Sequence, residues 1–231
     1  SDSALENIQN NCEILQFSIG QPICKKATIP NKVLIILSGE ARFLHEDKLS
    51  SQTLAKLGPN QFIGLASILN AKGCESISAS SDLIVLALPE SLILKLYKEE
   101  LGFKNWCDSN QFLGDIYEVG SQIYNNINIT LNLKELIEVL SNESIIKIIE
   151  NGTKLDETND YIYIACSSNI SNKQVGSIIG HKDIIETRGP LPARIIQVKK
   201  EAYNALVQHK ANKNTLKEEK DERANNNFSE E

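Results

Sequence analysis

The chain has 231 residues, a formal net charge of −6 and 41% hydrophobic residues. These values are ordinary for a soluble globular protein with one large or two small cores. No block of Lys and Arg occurs, which argues against a dedicated nucleic-acid binder, because such proteins neutralise phosphates with clustered cations. No apolar run approaches the roughly 18 residues needed to span a bilayer, and the first residues lack the pattern of a signal peptide.

The chain begins at Ser1 and contains no methionine, so we expect it to be a piece of something longer. Its cysteines occur singly, at positions 12, 24, 74, 107 and 166. No pair has the spacing of a zinc or redox motif, and an odd, unpatterned set fits reduced thiols in a cytosolic setting. We therefore expect no metal site and no cofactor.

The first half of the chain predicts one helix and then a series of short strands. Residues 2–10 predict a helix capped by Asp2 or Ser3, with Ala4, Leu5 and Ile8 on one face. Short β-type runs separated by turn residues follow, at 13–17, 22–25, 33–37, 41–45, 52–57, 76–79 and 83–88. Many short strands at even spacing indicate a sandwich, barrel or roll.

Helical patterns follow Pro89, which suits the first turn of a helix. Apolar residues repeat at helical spacing over 92–97, 106–124 and 133–140. Asn132 is a predicted cap for the last of these helices, with Glu135 three residues on.

A second β-type region begins after Asn142, with runs at 145–149, 161–166, 174–179 and 194–198, and 199–209 predicts a helix. We place a domain boundary in the polar stretch that begins at 125. The predicted domains are 1–124, 125–209 and a tail at 210–231. The tail is charged and Asn-rich, so we expect it to be disordered or a linker.

The stretch from Phe17 to Leu88 resembles the cyclic-nucleotide-binding domain family, through glycines and strands in family order. The matching segments are Gly20 with Ile23, the apolar strand Val33–Leu37 ending in Ser38-Gly39, the turn Leu57–Gly64, and the strand Leu83–Leu88 before a helix. The resemblance implies an α+β, mainly β fold: a jelly-roll-like β-roll with flanking helices, followed by a smaller, shortened second roll.

The resemblance also implies where a ligand pocket would lie. In the family, a glycine turn and a short helix present N–H groups to the cyclic phosphate, an arginine neutralises it, and a glutamate accepts from the ribose hydroxyl. Here the glutamate position holds Leu65, and the arginine position falls on Gly73 or Cys74. The predicted vestigial pocket comprises Ile63, Gly64, Leu65, Ala66, Lys72, Gly73, Cys74 and Ser76.

These replacements predict that cyclic nucleotide binding is lost. Each lost charge-assisted contact costs roughly 1.5–3 kcal/mol, so a micromolar affinity would fall to about millimolar or weaker. Glu75 adds a negative charge where the ligand's anion would sit, and Lys72 is the nearby cation that could partly offset it.

The second region shows a fainter version of the same pattern. Gly152-Thr153, the strand Tyr161–Cys166, Val175-Gly176 and Pro192-Ala193-Arg194 predict a second, shortened roll. Arg194 resembles the phosphate arginine in its setting, but no cassette helix matches, so we interpret it as a surface or strand-end residue.

Further segments resemble the N-terminal region of bacterial ABC-type peptide or toxin exporters of the type I secretion class. They are Ser38–Leu44, Leu54–Pro59, Gly64–Ser67 and Pro190–Ile196. The resemblance implies a non-catalytic regulatory or docking module on the cytoplasmic face of an inner-membrane transporter. Transport and ATP hydrolysis would reside in parts absent from this chain, which has neither a phosphate loop nor a Gly-x-Gly-x-x-Gly motif.

The expected partners are another protein or other domains of the full-length chain, with a homodimer also allowed. No nucleic acid is expected, and membrane contact only through absent downstream segments. Two alternatives stay open. One is a transcription regulator of the cyclic-AMP-receptor class, which needs a helix-turn-helix. The other is a sensor of an unknown small neutral ligand, favoured because Leu65 and Gly73 make the pocket more apolar.

Overall fold

The computed structural model describes residues 1–46, 50–126, 131–155 and 158–208. Helix α1 (Asp2–Asn11) precedes a run of strands that contains the seven predicted ones and one further short strand at Phe62–Ile63, which the sequence did not predict. They are β1 (Glu13–Phe17), β2 (Pro22–Cys24), β3 (Lys32–Ser38), β4 (Ala41–Glu46), β5 (Ser51–Leu57), β6 (Phe62–Ile63), β7 (Ile77–Ala79) and β8 (Leu83–Pro89), with helix α2 (Leu65–Leu69) between β6 and β7.

Two antiparallel sheets form this first roll. One has the strand order β1-β8-β3-β6 and the other β2-β7-β4-β5. Alternate residues face the interior, as period-2 patterning requires: Leu83, Val85 and Ala87 of β8 are buried, whereas Ile84 and Leu86 are half-buried. The predicted β-roll is confirmed.

Helix α1 begins earlier than the sequence predicted. Its cap is Ser1, whose Oγ accepts from the Ala4 N–H at 3.3 Å, so the assignment of the cap to Asp2 or Ser3 is wrong. Ala4 and Ile8 pack against the core, but Leu5 is 60% exposed and does not share their face.

The helical region after β8 contains α3 (Glu90–Glu99), α4 (Leu101–Ser109) and α5 (Leu113–Asn126). The prediction of a single helix over 106–124 is wrong, because α4 ends at Ser109 and a separate helix, α5, begins at Leu113. Asn110 is extended, with φ −100° and ψ 131°. The Asp115 carboxylate accepts from the Phe112 N–H at 2.8 Å, as an acidic residue in the first turn does at a helix start. This cap begins a new helix.

Helix α6 (Leu133–Glu143) starts where the sequence predicted. The Asn132 side chain accepts from the Glu135 N–H at 3.0 Å, and the Glu135 carboxylate accepts from the Asn132 N–H at 3.0 Å. These reciprocal bonds form the predicted capping box.

The second β-region is a shortened copy of the first roll. It contains β9 (Ser144–Ile149), β10 (Thr153–Lys154), β11 (Tyr161–Ala165), β12 (Ile178–Ile179), β13 (Ile184–Ile185) and β14 (Ala193–Lys199), followed by α7 (Lys200–Gln208). The order β9-β14-β11-β12 reproduces β1-β8-β3-β6, and β10 pairs with β13 as β2 pairs with β7. Counterparts of β4 and β5 are missing from the fully described segment 166–177 between β11 and β12.

The two rolls turn at equivalent glycines between their first and second strands. Gly20 has a φ of +83° and donates to the Ala79 carbonyl at 2.8 Å. Gly152 has a φ of +80° and donates to the Ile185 carbonyl at 2.7 Å. Left-handed backbone of this kind favours glycine, so the same residue type closes the same turn in both rolls.

The rolls also share the junction between the last strand and the helix that follows it. In the first roll, the Glu90 N–H donates to the Asn31 carbonyl, just before β3, at 2.9 Å. In the second, the Lys200 N–H donates to the Asp160 carbonyl, just before β11, at 2.8 Å. Strand order, glycine turn and helix junction together define a structural repeat.

The strand predicted over 174–179 is confined to β12, so the prediction is wrong for the residues before it. Gly176 has a φ of +87°, and the Ser177 N–H donates to the Gln174 carbonyl at 3.0 Å. A left-handed residue and a local turn interrupt the extended backbone there.

One hydrophobic cluster joins the two rolls. It includes Ile36 and Phe43 of the first roll and Ile164 and Ile196 of the second, with α5 and α6 between them. The predicted boundary after residue 124 falls within the last turn of α5 and stays a prediction, and the tail 210–231 lies outside the described residues. Within the described ranges, no helix has the length and apolar character to cross a membrane.

Candidate functional site

The segment between β6 and β7 contains the predicted pocket. Ile63, Gly64, Leu65, Ala66, Gly73, Cys74 and Ser76 are all buried, and Lys72 is half-buried. Gly64 has a φ of +88° and precedes α2. A Cβ at Gly64 would lie 2.9 Å from Pro30 Cγ, so both the backbone angle and the close approach require glycine.

Glu75 is bonded to the start of α2. Its carboxylate accepts from the Gly64 N–H at 3.2 Å, from the Ser67 N–H at 3.3 Å and from Ser67 Oγ at 2.7 Å. These donors belong to the glycine turn and the helix start, where the resemblance puts the ligand's anion. Burial raises the pKa of Glu75, and the three bonds partly offset that effect. A carboxylate of the protein itself thus binds these N–H groups.

Neither candidate for the phosphate arginine position leaves room for a cation. A Cβ at Gly73 would lie 2.3 Å from the Thr28 backbone nitrogen, so a side chain there would collide with backbone. Cys74 is fully buried, its N–H donates to Ser67 Oγ at 3.1 Å, and burial raises the pKa of its thiol well above the usual value. The packing around Gly73 and Cys74 therefore leaves no space for an arginine side chain at either position.

Lys72 is paired with helix α5. Its Nζ lies 2.5 Å from Glu118 Oε1, and Lys26 Nζ lies 3.4 Å from Glu118 Oε2. Burial raises the pKa of Glu118, but the hydrogen bond from Lys72 and the charges of both lysines outweigh it, so the pKa lies below its ordinary value. The nearby cation of the pocket thus neutralises a buried carboxylate.

Helix α5 lies directly on the pocket segment. A Cβ at Gly114 would lie 2.7 Å from Ala66 Cβ and 2.9 Å from Cys74 Sγ. One turn later, Tyr117 is 1% exposed and packs edge-on against Phe43 of β4, with ring centroids 5.1 Å apart. The helix therefore covers the part of the pocket segment that contains Ala66 and Cys74.

Asp115 and Arg194 form a buried ion pair between α5 and the second roll. Arg194 Nη2 donates to Asp115 Oδ2 at 2.9 Å, and the two side chains are 2% and 0% exposed. The guanidinium also donates to the carbonyls of Cys107 and Asn110, at 3.0 and 3.1 Å. Arg194 lies at the start of β14, as predicted for a strand-end residue, but the surface alternative is wrong.

Asn70, just after α2, joins the pocket segment to this ion pair. Its Nδ2 donates to Asp115 Oδ1 at 2.6 Å, and its carbonyl accepts from the Ser168 N–H of the second roll at 2.9 Å. The pocket segment, α5 and the second roll are therefore connected by buried hydrogen bonds.

The sequence interpretation missed Asp115, Glu118 and Asn70. A signal was present: Asp115 and Glu118 lie three residues apart on α5, among the buried Ile116, Tyr117 and Val119. Carboxylates at helical spacing in an apolar stretch indicate buried ion pairs. Their partners are distant in the sequence, so only the structure identifies them.

Comparison with known proteins agrees with this geometry. Residues 14–100 match the family model of the cyclic nucleotide-binding domain. Together with the strand order, this match makes the first roll a β-roll of the cyclic nucleotide-binding type. No curated protein sequence matches the chain.

Several solved structures are similar at low identity. The Thermus thermophilus catabolite activator protein is 22% identical with a TM-score of 0.39, over 46% of this chain and 51% of that one. A cyclic nucleotide-binding-like protein from Brucella abortus is 17% identical with a TM-score of 0.39, over 43% and 86%. The protein described as cAMP bound PfPKA-R (141-441) is 14% identical with a TM-score of 0.41, over 99% and 84%. The matched region thus spans about half of the Thermus protein.

Proposed function

We propose that this chain is a non-catalytic regulatory or docking module in which its own side chains replace the cyclic nucleotide. The observation that carries the proposal is the Glu75 carboxylate, which accepts hydrogen bonds from Gly64 and Ser67 at the start of α2. An incoming phosphate would have to displace this carboxylate or lie beside a like charge in a site of low dielectric, and both cost free energy.

The packing of α5 supports the same proposal. Gly114 lies against Ala66 and Cys74, and Glu118 pairs with Lys72, so contacts within the chain hold the helix on the pocket segment. In a ligand-gated domain, the ligand's differential affinity for two states shifts the population between them. Here the contacts within the chain hold one state, so we expect the module to act through protein contacts.

Calorimetric titration with cyclic AMP and cyclic GMP tests the loss of binding. We expect no heat of binding below about 1 mM, because two charge-assisted contacts, each worth roughly 1.5–3 kcal/mol, are missing. Binding of either nucleotide at micromolar concentration would contradict the proposal.

Chemical rescue tests the role of the internal carboxylate. Glu75→Ala leaves the Gly64 and Ser67 N–H groups without their acceptor, so we expect added acetate to raise the melting temperature of this variant more than that of the unsubstituted chain. Asp183→Ala is the matched control, because Asp183 accepts from a glycine N–H in the second roll but its side chain is 38% exposed. An equal acetate response in both variants would argue against a specific carboxylate site.

We further propose that the module belongs to the cytoplasmic part of a bacterial ABC-type exporter and docks onto another protein or onto other domains of the same chain. The resemblance of Ser38–Leu44, Leu54–Pro59, Gly64–Ser67 and Pro190–Ile196 supports this context. The test is the reading frame downstream of Glu231: membrane-spanning segments and a phosphate loop would support it, and a stop codon would contradict it.

We do not propose a DNA-binding regulator. That class needs a helix-turn-helix after its dimer helix, whereas β9, β10 and β11 follow α6 here. We likewise propose no catalysis by this chain, because the buried carboxylates Glu75, Asp115 and Glu118 are all bonded to donors within the protein.

A further inference from the structure

A surface hollow of about 480 Å³ lies on the second roll, where β11 and α7 begin. Its walls come from short segments that the fold brings together: Asn159, Asp160, Tyr161, Lys199, Lys200, Glu201 and Asn204. No residue of the predicted pocket lines the hollow, and neither does the turn 180–183 that joins β12 to β13. The hollow is therefore separate from the site described above.

Strand pairing and the helix junction together form the backbone frame of the hollow. Tyr161 lies directly opposite Lys199 in the pairing of β11 with β14, so the two side chains leave the sheet on the same face. The Lys200 N–H donates to the Asp160 carbonyl at 2.8 Å, which joins the start of α7 to the start of β11. Lys199 Nζ in turn lies 2.9 Å from the Glu143 carboxylate. These contacts within the chain hold the walls of the hollow together.

Tyr161 contributes an aromatic ring that is 37% exposed. The face of such a ring carries partial negative charge, and the C–H groups on the flat faces of a pyranose sugar carry partial positive charge. A sugar ring can therefore lie on the tyrosine ring and bury apolar surface that is now exposed.

The other side chains of the hollow offer the hydrogen-bond groups that sugar hydroxyls need. The amides of Asn159 and Asn204 both donate and accept, the carboxylates of Asp160 and Glu201 accept, and the two lysines donate. Within the described part of the chain, these four amide and carboxylate side chains form no hydrogen bond to another residue. Their hydrogen-bonding capacity is available to a ligand.

The charges around the hollow favour a neutral ligand. Two lysines and two carboxylates line it, so their formal charges cancel. The hydrogen bond to Glu143 and its charge raise the pKa of Lys199, and Tyr161 and Glu201 add smaller contributions, so these groups lie close enough to interact. An anion attracted by the lysines would also be repelled by the carboxylates.

The first roll provides an internal comparison. At its equivalent helix junction, Lys32 takes the place of Tyr161, and Leu94 takes the place of Asn204. Lys32 pairs with Glu13, and Leu94 packs against a hydrophobic cluster of the first roll. The tyrosine ring and the amide therefore belong to the second roll alone and are not required by the repeated strand frame.

We propose that this hollow binds a neutral carbohydrate, with one pyranose ring on Tyr161 and its hydroxyls bonded to the surrounding amides and carboxylates. The volume lies within the range of roughly 300–1,000 Å³ that is usual for small-molecule sites. The inference goes beyond the proposed function, since it uses neither the cyclic phosphate position nor a partner protein. Because the site is open and polar, we expect millimolar affinity for a single sugar ring.

Saturation-transfer difference spectra of the 231-residue protein provide the test. The probes are methyl β-D-glucopyranoside, methyl β-D-galactopyranoside and methyl α-D-mannopyranoside, which differ in the orientation of their hydroxyls. We expect a saturable signal from at least one of them, carried by the ring C–H protons. The uronate of methyl β-D-glucopyranoside should bind no more tightly than the neutral glycoside, because the charges of the hollow cancel.

Two variants of matched exposure locate the site. Tyr161→Ala should weaken binding of the responding glycoside at least about tenfold, because it removes the ring on which the sugar lies. Tyr124→Ala should leave binding unchanged, because Tyr124 is equally exposed, at 38%, but lies outside the hollow. If Tyr161→Ala fails to fold, Asn204→Leu provides a second variant at an exposed helix position, and it should also weaken binding.

The absence of a saturable signal from all three glycosides would overturn the proposal, and so would equal loss of binding in the Tyr124→Ala variant. Binding of the uronate at least about tenfold more tightly would also overturn it, because the hollow would then be an anion site. Titration of the same protein with cyclic AMP separates the two claims: micromolar binding contradicts the proposed function alone, and silence toward the glycosides contradicts this inference alone.

Discussion

The two rolls share a strand frame but differ in the segment that joins the sixth and seventh strands of the full roll. In the first roll, this segment runs from Gly64 to Ser76 and contains helix α2. In the second, the turn Gly180–Asp183 replaces it. Yet Glu75 accepts from the Gly64 N–H at 3.2 Å, and Asp183 accepts from the Gly180 N–H at 2.9 Å.

What differs is the surroundings of the two carboxylates. Glu75 is 5% exposed and lies beneath α5, whereas the Asp183 side chain is 38% exposed and pairs with Lys173. In both rolls, a carboxylate therefore accepts a hydrogen bond from the glycine N–H at the start of this segment. This hydrogen bond is buried only in the first roll. The strand frame therefore persists without a cassette helix, and α5 distinguishes the covered pocket segment from an ordinary turn.

The largest expected effect comes from breaking the link between the rolls. Asp115→Asn leaves the Arg194 guanidinium buried without its counter-charge, which costs about 3–5 kcal/mol of unfolding free energy. Urea denaturation followed by Trp106 fluorescence and by circular dichroism measures it. Lys199→Ala, which removes the exposed pair with Glu143, is the control and should cost less than about 1 kcal/mol. Equal effects would show that the buried pair does not join the rolls.

The contact of α5 with the pocket segment should tolerate no added volume. Gly114→Ala places a Cβ 2.7 Å from Ala66 Cβ, so we expect overpacking to cost about 1–3 kcal/mol. Gly102→Ala in α4 meets nothing within 4 Å, and should stabilise the helix by about 0.5–1 kcal/mol. Melting temperatures of the two variants test this, and a stabilising Gly114→Ala would show that α5 does not rest on the pocket.

The two carboxylates that accept from glycines should differ in their contribution to stability. Glu75→Gln places an amide NH2 against N–H donors in a buried site, which should cost about 1–3 kcal/mol. Asp183→Asn alters an exposed pair and should cost less than about 1 kcal/mol. Denaturation at pH 7 compares them, and a larger loss in the second roll would reverse our interpretation.

The smallest expected effect is a difference in pH dependence. Burial raises the pKa of Glu75, so its favourable contribution is complete below the ordinary pKa of 4.5 and disappears as the pH rises through the raised value. The hydrogen bond from Lys173 lowers the pKa of Asp183, so its contribution is complete above the ordinary 3.8 and disappears as the pH falls.

Melting temperatures between pH 3 and pH 7 measure this difference. Relative to the unsubstituted chain, Glu75→Gln should lower the melting temperature more at pH 5 than at pH 7. Asp183→Asn should lower the melting temperature less at pH 3 than at pH 5. Parallel curves for both variants would contradict the assigned environments.

Much of the fold could be predicted from local patterns. The strands of the first roll, the α6 capping box from Asn132 and Glu135, and the shortened second roll all have short-range signals. The predictions failed where a local contact overrode the pattern. The cap from Asp115 divided the helix expected over 106–124, and the left-handed Gly176 shortened a strand.

For the candidate site, the sequence predicted which family residues are replaced but not which contacts the replacing residues make. The sequence indicated that Leu65 stands for the ribose glutamate and that Glu75 lies near the anion position, because both follow from alignment to a glycine turn. It did not indicate that Glu75 bonds to Ser67, or that Lys72 is paired with Glu118 from a distant helix.

Local patterns in the sequence were enough to predict the strand segments, the glycine turns and the replaced phosphate-site residues, since these depend on residue types and spacings within short segments. Only the tertiary structure decided how the pocket is closed. Gly114, Asp115 and Glu118 of α5 meet Ala66, Asn70 and Lys72 across more than forty residues of chain. Pairings of this kind depend on how separate elements pack, which hydrophobic periodicity alone does not specify.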